Sequence, residues 1–148
     1  MQQTHTFLSN IRRIIRYYDS MLKPICGRYG LTLMETTIIS FLFHHPGRDT
    51  AADIVEIRML SKSNVSQAVE SLIQKSLLQR RQDTRDRRRI HLSLTPAAAP
   101  ITREIESVRS EFRRRIFRGF TEGEIEQFFQ FHQRIAANAT AAEGGQDV

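Results

Sequence analysis

Apolar residues recur at helical spacing over most of this chain and change to strict alternation in one short segment. Over residues 61–74, one face repeats at the i, i+3, i+4, i+7 spacing of a buried helical stripe, and its members are Val65, Ala68, Val69 and Leu72. From Ile90 to Leu94, apolar and polar residues alternate, which predicts a strand. Leu77 and Leu78 predict the start of its partner strand. The pattern therefore predicts a helix followed directly by a β-hairpin.

The first helix of the chain is predicted over residues 7–25. Its apolar face consists of Phe7, Ile11, Ile14, Tyr18, Met21 and Ile25. Pro24 has no amide hydrogen, so we expect it to cost one backbone hydrogen bond and to bend the helix near its end. Gly27 and Gly30 follow, and we expect them to break the helix.

Two capping patterns predict the next helices. Thr32 and Thr50 each stand three residues before an acidic residue, the spacing at which the two side chains bond each other's backbone amide. The second helix should start after Thr32 and end near His44, because Pro46 and Gly47 follow. The third helix is short and leads through a turn into the helix at residues 61–74. Two helices joined in this way form a helix-turn-helix.

Two further helices are predicted after the hairpin. Thr95-Pro96 predicts the start of the fifth, with the threonine as cap and the proline in the first turn. Pro100 would remove an interior hydrogen bond or bend this helix, so its start stays open. Gly119 and a capping box at Thr121 separate it from a sixth helix. The tail at residues 139–148 is small and polar, and we expect it to fray.

The distribution of charge indicates a binding function for this mostly helical chain. The 148 residues carry a formal net charge of +6, and six arginines lie between Arg80 and Arg89. A basic excess concentrated in one hairpin favours a polyanionic partner. No apolar run approaches the ~18 residues that a membrane span needs, so no membrane partner is expected. The single cysteine, Cys26, excludes an internal disulfide and fits a reducing cytoplasm.

The tip of the predicted hairpin combines these arginines with two aspartates. Asp83 and Asp86 can accept hydrogen bonds from backbone amides two residues on, which favours a turn. Two carboxylates also reduce the repulsion among the arginines and can hold an arginine side chain in one orientation. An arginine held in this way suits the minor groove of DNA, where the potential is strongly negative if the groove is narrow. The alternative interpretation is a solvated charge run on a surface hairpin.

Four short motifs occur in this chain at the positions of one known family. Asp83-Thr84-Arg85-Asp86-Arg87-Arg88 matches a wing pattern D-x-R-D-x-R at every fixed position, and Leu92-Ser93-Leu94-Thr95 contains the Leu-Thr pair that closes the second wing strand. Leu60-Ser61-Lys62-Ser63, with Val65-Ser66, matches the start of a recognition helix. Leu31-Thr32 and Pro46-Gly47 fall where the second helix begins and ends. Over about residues 7–135 the chain resembles the multiple-antibiotic-resistance regulator (MarR) family.

The resemblance implies a mostly α-helical fold with a small β-wing. One domain, 1–148, would contain a winged helix-turn-helix lobe at 31–95 between dimerisation helices at 1–30 and 96–138. The recognition helix would enter the major groove of DNA and the wing the minor groove beside it. The residues expected to contact DNA are Ser61, Lys62, Ser63, Asn64, Ser66 and Gln67 in the helix, and Arg85, Asp86, Arg87 and Arg88 in the wing.

Apolar surface on the first and last helices predicts a homodimer. Phe128, Phe129 and Phe131 are too close in sequence to face one side, so some of them should be free to meet a second subunit. The resemblance implies dimerisation through the same helices. A two-fold dimer requires double-stranded DNA with a pseudo-palindromic operator, whose half-sites lie about one helical turn, ~10 bp, apart. A purely intramolecular helical core is the alternative.

The resemblance also implies a cleft for a small phenolic or aromatic-carboxylate effector, formed by the first, second and fifth helices. The candidates to line it are Tyr17, Tyr18, Met21, Met34 and His44, although each can equally be an ordinary core or surface residue. An effector acts through its difference in affinity between two states of the protein. The chain is therefore interpreted as a cytoplasmic transcriptional repressor that releases DNA when it binds its effector.

Other functional classes have less support in the sequence. The chain has no glycine-rich phosphate loop, no G-x-S-x-G elbow and no Cys-x-x-Cys pair, so neither an enzyme nor a cofactor is expected. A zinc site that joins Cys26 to His44, and a thiol sensor at Cys26, are alternatives to a small packed side chain, which we favour. The main alternative to a DNA-binding regulator is a winged helix that binds other proteins. The six hairpin arginines argue against it.

Overall fold

The computed structural model describes residues 1–144, which form six α-helices and one two-stranded antiparallel sheet. The helices are α1 (Gln2–Tyr29), α2 (Leu33–His44), α3 (Ala51–Arg58), α4 (Lys62–Gln74), α5 (Ala99–Ile116) and α6 (Glu122–Glu143). The strands are β1 (Leu78–Gln82) and β2 (Ile90–Leu94), and a 3-10 turn at Pro96–Ala98 precedes α5. The predicted fold class, mostly α with a small β-wing, is confirmed.

The helix α1 is longer than the sequence predicted. It continues through Pro24 and Gly27, so the break expected at Gly27 is wrong. The missing hydrogen bond of the proline is a local loss, and buried apolar residues on both sides of it hold the helix in place. The helix ends at Gly30, whose φ of 64° lies in the left-handed region. There the Leu31 amide donates to the Cys26 carbonyl at 2.9 Å.

The predicted capping boxes are present. At the start of α2, the Thr32 hydroxyl accepts from the Glu35 amide at 3.1 Å, and the Thr32 amide donates to the Glu35 carboxylate at 2.9 Å. The same reciprocal pair forms at the starts of α3 and α6, between Thr50 and Asp53 and between Thr121 and Glu124. Each box satisfies two amides that the first turn of a helix would otherwise leave without a partner.

The hydrophobic core lies in the first of two compact units, Met1–Phe112. Within this unit α2 packs against α1 and α4, and α3 packs against α4. The sheet also packs on this helical group, because β1 contacts α4 and β2 contacts α2 and α3. The largest fully buried side chains include Ile38, Ile39, Ile54, Leu72, Leu78, Ile101 and Ile105. The helix-turn-helix and the wing therefore rest on one continuous core.

The start of α5 resolves the alternatives that the sequence left open. Thr95-Pro96 begins the 3-10 turn, and α5 itself begins at Ala99. Pro100 is therefore in the first turn of α5, where an amide has no partner within the helix. Pro100 therefore removes no interior hydrogen bond, and the expectation that it would is wrong.

The second compact unit begins at Arg113 and contains the end of α5 and all of α6. Gly119 connects the two helices with a φ of 86°, a conformation that favours glycine, as the predicted break implied. An aromatic cluster joins them, since the ring centroid of Phe117 lies 5.5 Å from those of both Phe128 and Phe129. Such tilted and edge-on pairs stabilise a small helical unit beyond their buried area.

The end of α6 differs from the prediction. The helix continues to Glu143, so the first residues of the tail expected to fray, 139–148, are helical. Thr140 supports this last part by donating its hydroxyl to the Ala136 carbonyl at 2.9 Å. Residues 145–148 of that predicted tail lie outside the described residues. Among the helices of residues 1–144, none has the length and apolar character needed to cross a bilayer.

Candidate nucleic-acid interface

The helix α4 is fixed by its apolar stripe, which leaves the opposite face free. Val65 and Leu72 are completely buried, and the other two members of the stripe are nearly so. The helix begins at Ser61, whose hydroxyl accepts a hydrogen bond from the Asn64 amide at 3.2 Å. The predicted stripe is confirmed. Because burial determines which way the helix turns, its polar face is presented to solvent.

All six residues predicted to read DNA lie at exposed positions at or near the N-terminal end of α4: Ser61, Lys62, Ser63, Asn64, Ser66 and Gln67. Apart from the capping bond of Ser61, their side chains form no hydrogen bond or ion pair with another residue between 1 and 144. Their donors and acceptors are therefore available to base edges and phosphates. Short side chains here also permit a close approach to a groove.

The C-terminal end of α4 is a Schellman motif. The Leu77 amide donates to the Leu72 carbonyl and the Ser76 amide to the Ile73 carbonyl, each at 3.0 Å. Ser76 adopts a φ of 61°, so it occupies the left-handed position that follows the end of the helix. A serine in that conformation is more strained than a glycine would be.

A buried carboxylate connects the same end of α4 to α1 and α2, and the sequence analysis missed it. Glu35 is only 3% exposed at its side chain, and Lys75 donates to its two oxygens at 3.1 and 2.9 Å. Ser71 donates to the second oxygen at 2.9 Å, and Lys75 also reaches the Gly30 carbonyl at 2.9 Å. A lysine at a helix end is ordinarily solvated, so no pattern in the sequence indicated this contact.

The hydrogen bonds to Glu35 decide its ionisation. Burial raises the pKa of this carboxyl, but the amide of Thr32, Lys75 and Ser71 all favour the ionised form, and together they hold the pKa below its ordinary value. The ionised carboxylate accepts four hydrogen bonds from three donor groups, so its position is fixed. It therefore holds the end of the recognition helix against the start of α2.

The wing is a hairpin with a fixed register. Leu78 pairs with Leu94 at its base, Arg81 with His91 in the middle, and Gln82 with Ile90 next to the loop. Leu78 and Leu92 are buried, whereas β1 is exposed from residue 79 onward. Only the base of the hairpin is therefore held by the core, and the loop must be held by other means.

Carboxylates hold the wing loop through the backbone. One oxygen of Asp83 accepts hydrogen bonds from the amides of Arg85 and Asp86 at 2.9 and 2.8 Å. Asp86 in turn accepts from the Arg88 amide at 3.0 Å. The predicted bonding of aspartate to amides two residues on is confirmed. The expectation that these carboxylates hold arginine side chains is wrong, because their oxygens bind amides instead.

The arginines at the wing tip are left free by this arrangement. Arg85, Arg87 and Arg88 are exposed and form no ion pair with any residue between 1 and 144. Arg80, at the base of the hairpin, instead forms an ion pair with Glu70 on α4. The wing tip therefore presents three arginines to an external polyanion, close in sequence to the free face of α4.

A histidine that the sequence analysis did not single out connects the wing to the loop before α3. His91 Nδ1 lies 2.7 Å from an Asp49 oxygen, and its Nε2 lies 2.7 Å from the Asp83 oxygen that does not bind the loop amides. The hydrogen bonds that the ring donates to Asp49 and Asp83 raise the pKa of His91. In return His91, with the amides of Asp86 and Arg85, holds the pKa of Asp83 far below its ordinary value.

A separate cavity of about 170 Å³ lies in the first unit, and two of the five predicted effector residues line it. Tyr18 from α1 and His44 from α2 are there, together with Arg58 from α3 and Arg109 from α5, which the sequence analysis did not identify. Tyr17, Met21 and Met34 are not among the lining residues. The two arginines were missed because single basic residues on amphipathic helices carry no pattern.

The polar groups of this cavity suit an anion with an aromatic ring. Burial raises the pKa of the Tyr18 hydroxyl, while Arg109 and Arg58 oppose that rise. The hydroxyl is buried without a well-formed hydrogen bond to any described residue, although the guanidinium of Arg109 lies near it. The rings of Tyr18 and Phe112 meet edge to face at 5.0 Å. His44 is occupied by Glu106, at 2.5 Å.

The apolar surface that suggested a dimer is observed in each unit. On α1 of the first unit, at least a third of the surface is exposed for Phe7, Leu8, Ile11, Ile14 and Ile15. On α6 of the second unit the same holds for Phe128, Phe129, Phe131 and Ile135. Surfaces of this kind on soluble chains commonly mark contacts with another molecule.

Cys26, considered above as a possible zinc ligand or thiol sensor, is partly buried. Its sulfur lies 3.3 Å from the Thr36 hydroxyl. His44 lies with Glu106 and bonds the Ser40 carbonyl at 2.7 Å through its other nitrogen. Across residues 1–144, no three His, Cys, Asp or Glu side chains are arranged to hold a metal ion. The packed-side-chain interpretation of Cys26 fits its surroundings.

Comparison with known proteins finds relatives of the part of the chain that contains the helix-turn-helix and the wing. Residues 29–89 match the model of the MarR family. Over 125 residues, 82% of this chain and 85% of its relative, the chain is 24% identical to YsmB, an uncharacterised HTH-type transcriptional regulator of Bacillus subtilis (strain 168). Its fold is similar to that of Staphylococcus aureus MepR in a MepR–DNA complex, at 20% identity over 89% of this chain and 97% of that one, with a TM-score of 0.73. It is also similar to S. aureus MarR in complex with salicylate and kanamycin, at 15% identity over 95% and 94%, with a TM-score of 0.75.

Proposed function

We propose that this chain is a DNA-binding transcriptional regulator of the MarR family, and that it is a homodimeric repressor that a small anionic aromatic effector releases from its operator. The observation that carries the proposal is the pairing of two free surfaces on one core. The polar face of α4 makes almost no intramolecular contacts, and the wing beside it presents Arg85, Arg87 and Arg88. The DNA complex of a protein with this fold supports the same use of the fold here.

The dimer supplies two copies of this surface. The exposed apolar residues of α1 and of α6 are the natural subunit contacts, because covering them removes a large apolar area from water. Each subunit would insert α4 into a major groove and its wing into the adjacent minor groove. We therefore expect a pseudo-palindromic operator with half-sites about 10 bp apart. Occupying such a site in a promoter would block transcription, and the chain would act in the cytoplasm, where that DNA lies.

The cavity in the first unit would bind the effector. Arg58 and Arg109 would attract a carboxylate, and the Tyr18 hydroxyl would donate a hydrogen bond to it. The aromatic ring of the effector would then lie against the apolar walls of the cavity. The salicylate complex of a protein with the same fold supports a small phenolic carboxylate. The cavity joins α1, α2, α3 and α5, so a ligand that fits only one arrangement of these helices would shift the population away from the DNA-competent state.

Binding to DNA across a salt series tests the proposal. On the chain's own upstream DNA, we expect log affinity to fall against log salt with a slope steeper than about −5, because a dimer with several phosphate contacts per subunit displaces many counterions. Replacing Arg85, Arg87 and Arg88 together by alanine should flatten that slope clearly. The matched control replaces Arg12, Arg13 and Arg16, three exposed arginines of α1, and should keep the slope near that of the wild type. Sedimentation should show the same dimer for all three proteins.

Two results would favour the alternative, a winged helix that binds other proteins. These are weak DNA binding without preference for any upstream segment, and equal slopes for the wing and α1 variants. The effector is tested separately by titration calorimetry with salicylate as the probe. Arg109→Gln and Tyr18→Phe should weaken its binding, while His5→Gln, on an exposed residue, should not. Salicylate binding that is equal in all three would remove the cavity from the proposal.

A further inference from the structure

We infer that His91 is a positioning residue for DNA binding: as an imidazolium it joins the wing loop to the loop before α3, and operator affinity falls when the ring loses its second proton. The inference rests on the proposed role of the wing in DNA contact. The His91 side chain is only 15% exposed, and both of its ring nitrogens are occupied by carboxylates, so it is not itself available to DNA. It would act on DNA only through the loop that it holds.

The geometry requires a charged ring. Nδ1 lies 2.7 Å from an Asp49 oxygen and Nε2 lies 2.7 Å from an Asp83 oxygen. An ionised carboxylate can only accept hydrogen bonds, so both ring nitrogens must carry hydrogen, which is the imidazolium form. A neutral ring has one hydrogen and would place a lone pair against one of the two carboxylates. Loss of the proton therefore breaks one end of the connection and leaves the other.

Asp83 transmits the state of the ring to the wing loop. Its first oxygen binds His91, and its second binds the amides of Arg85 and Asp86. Asp49 fixes the other side, because its carbonyl accepts the Leu92 amide at 2.8 Å while its carboxylate binds the ring. The aspartate that orients the loop carrying Arg85 is thus oriented by His91. Without the imidazolium, the loop keeps its own turn but loses its attachment to the core.

The charged groups around the ring determine the pH range. Asp49 from the loop before α3 and Asp83 from the end of β1 favour the imidazolium, while Arg81, its register partner on β1, opposes it. Arg48, also on the loop, is turned to Asp53 at 3.2 Å. The balance raises the pKa of His91 above its ordinary 6.5, so the connection is complete below that pH and is lost as the pH rises through the raised value.

The pH at which Asp83 would be protonated lies far below the range in which His91 titrates. The pKa of Asp83 is held well below its ordinary 3.8, so its contribution is complete above that pH and is lost only as the pH falls through the lowered value. Between the two limits the wing is attached. A titration of DNA binding upward from mildly acidic pH therefore reports His91 and not the aspartate.

The experiment measures affinity for one operator duplex by fluorescence anisotropy at constant ionic strength, from about pH 6 to about pH 9. Wild-type affinity should fall by about three- to tenfold over this range, the scale of one charge-assisted hydrogen bond. His91→Gln should bind weakly already at the acid end and show a flat profile. His91→Lys keeps a cation with three donors throughout, so it should retain affinity at the alkaline end. His5→Gln, the matched control, should keep the wild-type profile.

A second measurement does not depend on DNA. Nitrogen chemical shifts of the His91 ring in the wild-type protein should show both nitrogens protonated at neutral pH, and only one in Asp83→Asn. A neutral ring at neutral pH, or a His91→Gln profile parallel to that of the wild type, would overturn the inference. If Arg88→Ala binds the operator as well as the wild type does, the wing role itself fails. The ring shifts would then still report whether His91 joins the two loops.

Discussion

The helix α4 and the wing are adjacent in sequence and are both proposed to contact DNA, but different forces hold them. Four apolar side chains fix α4 by burial, and its reading face is left almost without intramolecular bonds. The wing loop has no buried apolar residue, and Asp83, Asp86 and His91 hold it through hydrogen bonds to amides and to each other. One element is oriented by the core, and the other by a small set of charges.

This difference implies different sensitivities. Burial of apolar area depends little on pH or salt, so the orientation of α4 should persist wherever the domain is folded. Hydrogen bonds between ionised groups depend on protonation, so the wing can lose its attachment while the core remains intact. A regulator built in this way can keep its recognition helix in register while the strength of the minor-groove contact varies. The four predictions below test this comparison.

The largest effect, a loss of stability, is expected from a substitution in the buried stripe of α4. Leu72 is completely buried in the stripe of α4, so Leu72→Ala should lower the free energy of unfolding by about 2–5 kcal/mol, through lost burial and the cavity left behind. Urea denaturation followed by circular dichroism measures it. Asp83→Asn is the comparison on the wing side, and it should leave the denaturation midpoint nearly unchanged while weakening operator binding. Equal losses of stability in the two variants would contradict the view that burial holds α4 while polar contacts hold the wing loop.

Burial patterns account for what the sequence predicted well. The stripe of α4, the alternation in β2 and the three capping boxes are local, because each depends on spacing within a few residues. The left-handed Ser76 is a further local feature, because it lies directly after the last turn of α4. These features fixed the winged helix-turn-helix before any tertiary contact was known.

Long-range polar contacts account for what the sequence missed. Glu35 and Lys75 are forty residues apart, and His91 and Asp49 are forty-two. Charged and polar residues have no periodicity that indicates their partners, so pairs at such separations are invisible in a single sequence. The cavity arginines, Arg58 and Arg109, were missed for the same reason. Gly27 and Pro100 were misjudged because their effect depends on the surrounding burial and on where the helix starts.

The second prediction isolates one arginine of the wing. In the family pattern, Asp86 and Arg88 form the part of the loop that enters the minor groove. Arg88→Ala should weaken operator binding by about 1–3 kcal/mol and leave the unfolding free energy unchanged, because its side chain is exposed and has no intramolecular partner. Anisotropy and urea denaturation on the same protein measure both. Arg103→Ala, on an exposed residue of α5, is the control. Operator affinity within twofold of the wild type would remove Arg88 from the contact.

The third prediction concerns base reading by α4. Gln67 is exposed on the free face of the helix, and a glutamine can pair with adenine through two hydrogen bonds, whereas arginine prefers guanine. Gln67→Arg should therefore shift the preferred base at one position of each half-site from A towards G, by about 1–2 kcal/mol of discrimination. Site selection from a randomised half-site measures the change. The same consensus from both proteins would mean that Gln67 does not read a base.

The smallest effect is expected where α4 meets the wing. Ser76 adopts a φ of 61° at the end of the helix, and its carbonyl accepts the Thr95 hydroxyl at 2.6 Å, so the left-handed conformation is held on both sides. Glycine adopts that conformation without the contact between Cβ and backbone that serine must tolerate, but it also gains more freedom in the unfolded chain. The relief of strain in the folded state is the larger effect, so Ser76→Gly should stabilise the fold by up to about 1 kcal/mol.

The control is Gln74→Gly, in the last turn of α4, which has no such strain to relieve and should destabilise the fold by about 0.5–1 kcal/mol. Thermal and urea denaturation of the two variants should therefore move in opposite directions. A lower midpoint for Ser76→Gly would mean that the serine side chain stabilises this turn, and that the junction between helix and wing depends on polar contacts more than on backbone geometry.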